Sequence, residues 1–376
     1  PRYLALIRTA IVAGGLVAGL LILYVVGWFL LAVGARDGVH DWMAAREAEG
    51  YTASAQRIEA GGFPGAVTLS IRRPALGRAR PAAPVPAGVT HPGPEPWAWE
   101  ADGLSLAVSP LTPSHYRIMA PGRHRLGVTL GGQPETFEGT VAALTAAVTW
   151  SDDGPRDVDL SVAQLVLQQA GGPGVAAERL DLSAARFDPP AEAQADALAL
   201  RLDLEGEGLR LPRFLDLPMG HDVPHLRLRS RLLGPLAVTP GDAAWAARLA
   251  AWRDAGGVME VDDLKIIYGP LTLSADGTLA LDADLQPVGA FTARIQGFFD
   301  AVDLLREKGL IRSRAATTAK IVLGALSKKS AEGGAATVSL PVTVQDRTLF
   351  TGPVPLMRLP PLVWPGMEMP PSVPTE

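Results

Sequence analysis

The sequence predicts a mainly β protein with few helices: an N-terminal transmembrane helix, then a large antiparallel sheet curled into a half-pipe (a taco-like groove) or a sandwich. Three observations predict it. Thr9 to Ala35 holds no charged residue. Beyond it, stretch after stretch alternates apolar and polar residues with a period of two, the mark of strands with one dry face. Only two stretches outside the first run have helical spacing.

The uncharged run organises the chain. It includes Ile11, Val12, Leu16, Leu20, Leu21, Ile22, Leu23, Val25, Val26, Phe29, Leu30 and Leu31. At ~1.5 Å per residue it gives about 40 Å of helix, against the ~30 Å of a hydrocarbon layer. Ala32-Val33-Gly34-Ala35 resembles a cleavage site, but the run exceeds the ~7–15 apolar residues of a signal peptide. An uncleaved anchor is therefore expected. Arg2 and Arg8 precede the run, and Tyr24 and Trp28 lie toward its far end. Positive charge stays on the cytoplasmic side. The expectation is a single-pass inner-membrane protein with its N-terminus in the cytoplasm and residues 36–376 in the periplasm.

Composition excludes several classes. The 376 residues carry a net charge of −5 and no basic stripe with interleaved aromatics, so no nucleic-acid partner is expected. There is no cysteine, hence no disulfide, thiolate zinc site or cysteine nucleophile. Asparagine is absent too, while alanine, glycine, proline and arginine abound. That bias reads as coding by a GC-rich bacterial genome.

In chain order, residues 1–35 form the cytoplasmic tip and membrane helix. Residues 36–50 form a helical stalk continuing into water, ended by Gly50. Residues 51–360 form the β domain, and 361–376 an extended or mobile tail rich in Pro and Met. Gly61-Gly62-Phe63-Pro64-Gly65 marks a turn, and 77–96 a Pro/Ala/Gly loop. Helices are expected at 242–255, with Trp245 and Trp252 on the dry side, and at 298–329 with a break near Gly309. Those tryptophans touch the membrane interface or, the more favoured reading, pack the helix on the sheet.

The alternation is cleanest at Leu198, Leu200, Leu202 and Leu204, set against Arg201 and Asp203. Leu226 and Leu228 oppose Arg227, Arg229 and Arg231. Leu271 and Leu273, Leu279 and Leu281, and Phe291 and Ile295 repeat the pattern. On the order of fourteen strands against two helices leaves too much apolar sheet to cover, and open sheets beyond ~10 strands curl or split. These twelve residues are the candidate lining of an apolar groove. A sandwich would bury them against each other; a half-pipe would need a lid, a partner or lipid tails.

Other chemistry is weakly supported. His221 and His225 stand four apart, but Pro224 argues against the helix a metal pair would use. Asp262-Asp263 point to opposite faces of a strand. Asp282 and Asp284, between Leu281 and Leu285, read as a solvated strand face rather than a glycosidase-like pair. Asp276-Gly277 and Asp102-Gly103 read as turns. Arg227, Arg229 and Arg231 form a basic strip for lipid phosphates or, more simply, for carboxylates across the sheet. No nucleophile elbow, P-loop, zinc-protease helix or EF-hand loop occurs. No enzyme activity, cofactor or metal site is expected.

The stretch Gly269 to Gly297, GPLTLSADGTLALDADLQPVGAFTARIQG, resembles the late signature of an uncharacterised alphaproteobacterial family, domain of unknown function 2125. Gly62-Phe63-Pro64, Trp97-Ala98-Trp99, the run Ala250 to Gly257 and Gly352-Pro353-Val354-Pro355-Leu356 fit the same family. It implies no catalytic residues. A looser architectural similarity is to AsmA-like periplasmic β-groove proteins, which implies lipid movement between membranes. The leading expectation is a membrane-anchored groove that binds or passes acyl chains in envelope maintenance. The alternative is a non-enzymatic scaffold or interaction subunit of an inner-membrane complex.

Overall fold

The computed structural model describes residues 2–78, 96–130, 133–169, 172–187, 196–212, 217–235, 245–327, 335–352, 354–359, 361–362 and 364. One helix, α1 (Arg2–Ala48), takes up the uncharged run and continues beyond it. It is long and apolar enough to cross a membrane. Gly50, at φ 84°, follows its end in a conformation that favours glycine.

The chain then meanders. β1 (Tyr51–Ser54) and β2 (Arg57–Gly61) are two halves of one row. β3 (Val67–Arg72) and β4 (Ala75–Arg78) make the second, β5 (Trp97–Ala101) and β6 (Gly103–Ser109) the third, β7 (Thr112–Met119) and β8 (Gly122–Leu130) the fourth. Partners run β2–β3–β6–β7 in one set of halves and β1–β4–β5–β8 in the other. Both sets converge on β9 (Gln133–Ser151). β8 pairs with its first half, Gln133–Val141, and β7 with its second, Thr145–Thr149.

From there the rows are unbroken and each pairs antiparallel with the next. They are β10 (Gly154–Gln169), β11 (Gly172–Arg186), β12 (Leu198–Arg210), β13 (Asp222–Leu233), β14 (Val258–Tyr268), β15 (Leu271–Leu281), β16 (Pro287–Gln296), β17 (Val338–Gln345), β18 (Thr348–Thr351) and β19 (Val354–Arg358). α2 (Trp245–Asp254) lies between β13 and β14; α3 (Phe298–Glu307) and α4 (Ser313–Leu326) lie between β16 and β17. The break between α3 and α4 falls at Gly309, φ 72°. Among the described residues, the first row and β19 do not pair with each other, so the sheet is not closed into a barrel.

So wide a sheet does not stay flat, and this one relieves its width along a line. The breaks fall at Ala55-Gln56, Arg73-Pro74, Asp102 and Ala120-Pro121. Backbone bonds stitch the line: Gln56 N–H to Arg72 O, 2.9 Å; Arg73 N–H to Asp102 O, 3.1 Å; Asp102 N–H to Arg123 O, 3.1 Å; Ala120 N–H to Leu144 O, 3.0 Å. In the unbroken rows it continues as a switch of parity. In β10, Val158, Leu160 and Val162 give way to Leu165 and Leu167 on the sheltered side, with Gln164 between at φ 51°. In β12, Leu204 gives way to Leu209 across Gly208, φ 58°.

The stalk does not stand free. From Tyr24 onward α1 lies against β1, β2 and β3. Trp28, 4% exposed, packs with Ala32, Val67 and Val108. Its indole Nε1 donates to Gly65 O at 2.8 Å, and the Tyr24 hydroxyl donates to Pro64 O. Phe63, followed by a cis proline, sets its ring 5.3 Å from Trp28 and 6.0 Å from Phe29. The turn read from glycine and proline is therefore a clamp on the helix.

Three further expectations are corrected. Asp276-Gly277 is not a turn: both lie inside β15, and the two short leucine stretches there form one strand. A Cβ at Gly277 would stand 2.2 Å from Ala290 O, so glycine serves close approach of backbones. Asp282 and Asp284 are not on a strand face. β15 ends at Leu281, and Asp282 Oδ1 accepts from Asp284 N–H at 2.9 Å and Gln286 N–H at 2.8 Å. The start of the tail is fastened rather than loose. Leu362 exchanges bonds of 2.9 and 3.0 Å with the Gln286 side chain, and Trp364 Nε1 donates to Leu285 O at 2.9 Å. The 79–95 stretch of the Pro/Ala/Gly loop, residues 242–244, 328–329 and 365–376 lie outside the described residues.

Replacing Trp28 with alanine removes a buried ring and its bond to the clamp. A loss of about 3–5 kcal/mol is expected, read as a lower unfolding temperature in detergent. Phe29→Ala, at a side chain 55% exposed, should cost much less.

Candidate functional site: one apolar face of an open sheet

Register brings the leucines together. Leu226, Ile266, Leu273, Ile295 and Val338 are successive cross-strand partners from β13 to β17. The next rung is Leu204, Leu228, Leu264, Ala275, Ala293 and Leu340. Then come Leu202, Ser230, Val261, Gly277, Phe291 and Val342, and after them Leu200, Leu232, Met259, Leu279, Gly289 and Val344. Leu271 opposes Tyr268 one rung out, and Leu281 opposes Pro287 at the other margin. Leu198 opposes Leu233 across a register shift. Leu160 and Leu182 extend the second rung into β10 and β11. These last two, with Leu232, Leu264, Ile266 and Leu340, were not among the groove candidates, although the same parity marked them.

All twelve candidates are only half-buried. Fully burying a leucine-sized side chain is worth ~1.5–3 kcal/mol, so each one left partly exposed forgoes a fraction of that. The buried cluster that does form among the described residues is the small one around Trp28. By strand spacing the second rung runs about 34 Å from β10 to β17, and by strand rise the four rungs stack over about 20 Å.

The opposite face is ionic. Arg227 meets Glu205 at 2.7 Å; Arg231 meets Asp262 at 2.6 Å and Glu260 at 2.7 Å; Arg294 meets Asp276 at 2.8 Å. Arg229 stands in register between Asp203 and Asp263. The basic strip is thus used in cross-strand pairing. The Arg231 hydrogen bond holds the Asp262 carboxyl below its ordinary range, and Arg227 does the same to Glu205.

His221 lies in the bend before β13 and His225 within that strand, four extended residues or ~13 Å apart, too far to share one ion. His225 instead gathers with Glu205 and Glu207, ligand atoms within 4.8 Å. Glu205 there is already engaged by Arg227, which makes the group part of the ion ladder. A hollow of about 630 Å³ sits on the fold line, lined by Arg73, Glu100, Asp102, Arg123, Arg125 and Glu138. Its charge sets it apart from the leucine rungs.

Trp252 is buried, and its Nε1 donates to Leu233 O at 2.8 Å. Arg253 donates to Asp282 O and Ala283 O at 3.0 and 2.8 Å. α2 therefore straps the end of β13 to the β15–β16 turn.

These features define a class: a helix-tethered, open antiparallel sheet with one apolar and one ionic face. The chain belongs to the family described as "Uncharacterized protein conserved in bacteria (DUF2125)", which matches residues 28–360. No curated protein and no solved structure matches it.

Arg231→Met should raise the Asp262 pKa toward 3.8, its ordinary value. A carboxylate with a depressed folded pKa stabilises above its unfolded pKa and loses that contribution as pH falls through the folded one. The pair is exposed, so the variant should cost ~0.2–1 kcal/mol at pH 7, and that cost should shrink as pH falls below 3.8 through the depressed folded pKa. Urea unfolding across that pH range, with a carboxyl NMR titration, checks it.

Proposed function

We propose that this protein is held by α1 in the bacterial inner membrane, N-terminus in the cytoplasm. Its sheet lies on the periplasmic side and shelters lipid acyl chains against the leucine rungs. The role is binding or passing lipid in envelope maintenance, without enzyme chemistry. One observation carries the reading: apolar rungs in register across β12 to β17 whose leucines and Phe291 stay partly exposed, while Val261, Val338 and Val344 among them are buried. Acyl chains match this surface because it offers apolar area and few hydrogen-bonding groups, the Ser230 hydroxyl being turned to Leu202 O, so what it binds must be recognised by apolar contact.

A photocrosslinking residue at Leu228 in cells should capture phospholipid, and the same residue at Arg229 should not. Lipid capture at neither, or equally at both, overturns the reading.

A second reading, a scaffold subunit, is favoured by α4. Ile321, Val322 and Leu326 are exposed there, on a helix tied to α3 through Lys320 and Asp303 at 2.6 Å. Crosslinking at Ile321 that yields one defined protein band, with none of the lipid signal at Leu228, would select it.

A further inference from the structure

The meander sends every second connection to the same end as the clamp. The Phe63 turn joins the first and second rows, and Leu111 lies between β6 and β7. Trp150 lies at the end of β9, and Phe187 just past β11. At these positions a large apolar side chain is exposed: Phe63 49%, Leu111 80%, Trp150 49%, Phe187 37%. Consecutive members of this series are two rows apart, so they recur about every 10 Å along ~29 Å of one edge. Gln168, at the other end of β10, shows the polar alternative.

The helix fixes what this edge faces. Thr9 to Trp28 is charge-free and helical, and those residues span ~30 Å, the thickness of the hydrocarbon layer. Trp28 is where the Phe63 turn grips the helix. Leu16 to Leu23 lie beyond the grip and are exposed, as are Phe29, Leu30 and Val33 just past it. α1 therefore leaves the hydrocarbon at or just past the level of the edge. Tyr24, Trp28 and Phe63 are residue types that favour that boundary or insert just below it.

The geometry points to this edge as a second membrane contact: a row of turns whose apolar tips enter the outer leaflet of the bilayer that α1 crosses. The inference rests on the anchoring of α1 but not on lipid in the groove. Asp152 and Asp153 adjoin Trp150, so the contact is apolar rather than charge-driven and should survive high salt. It would open the end of the leucine rungs onto the leaflet surface.

The absence of cysteine makes the test clean. Single substitutions Leu111→Cys, Trp150→Cys and Phe187→Cys in the full chain take an environment-sensitive fluorophore. The protein is reconstituted in phosphatidylcholine vesicles with and without a spin-labelled, quenching lipid. Leu20→Cys reports the anchor and Gln168→Cys the water-facing end. All five sites are exposed, so the label fits without disturbing the core. The expected result is blue-shifted emission quenched by the lipid at Leu20 and at the three edge positions, unchanged in 1 M salt, and none at Gln168. Quenching at Leu20 alone overturns the edge contact and leaves the anchor intact. No quenching at Leu20 overturns both.

Discussion

A slip of one residue between any two strands from β10 to β17 would turn leucines to the side now held by arginines and carboxylates. Register is therefore the constraint on which both faces depend, and it is doubly specified. On one side Leu204, Leu228 and Leu264 meet; on the other Glu205–Arg227 and Arg231–Asp262 meet. The ion pairs are exposed and individually weak. Their use is to oppose slippage, because any shift by one brings charge against leucine.

A sheet of this width with one dry face must bend, pair with a second layer or stay open. Among the described residues the helices cover little of it. α1 serves the first rows, α2 straps one end, and α3 and α4 reach β15 and β17. The fold line supplies the bend. Where the chain can break it does, at Arg73-Pro74 and Ala120-Pro121. Where strands run through, Gln164 and Gly208 take positive φ and the apolar parity changes sides. Curvature and the partial exposure of the apolar face thus share a cause: too many one-faced strands for the helices present.

The leucine face was legible because a period of two needs no tertiary information. Leu198 to Leu204 and Leu226 to Leu228 declare their side residue by residue. So did the apolar helix, its glycine stop and the Gly309 break. The fold line was not legible, since a parity switch in sequence looks like the end of one strand and the start of another. Asp276-Gly277 looked like a turn because Asp-Gly is a hairpin signal, when close approach of Ala290 had set the glycine. Trp28 was hidden inside an apolar run where every residue looks alike. Its bond to Gly65 depends on a turn thirty-seven positions away. Glu205, Glu207 and His225 meet only through strand pairing, which spacing along one chain cannot reveal.

The most direct test of an unfilled apolar face is to ask what fills it. Full-length protein extracted from membranes into a detergent-free polymer disc can be stripped of annular lipid and weighed by native mass spectrometry. The account predicts tightly retained phospholipid that is lost when Leu202 and Leu228 are both replaced by glutamate. Protein that emerges lipid-free, with the leucine amides as protected from hydrogen exchange as Val67 beneath Trp28, would contradict it.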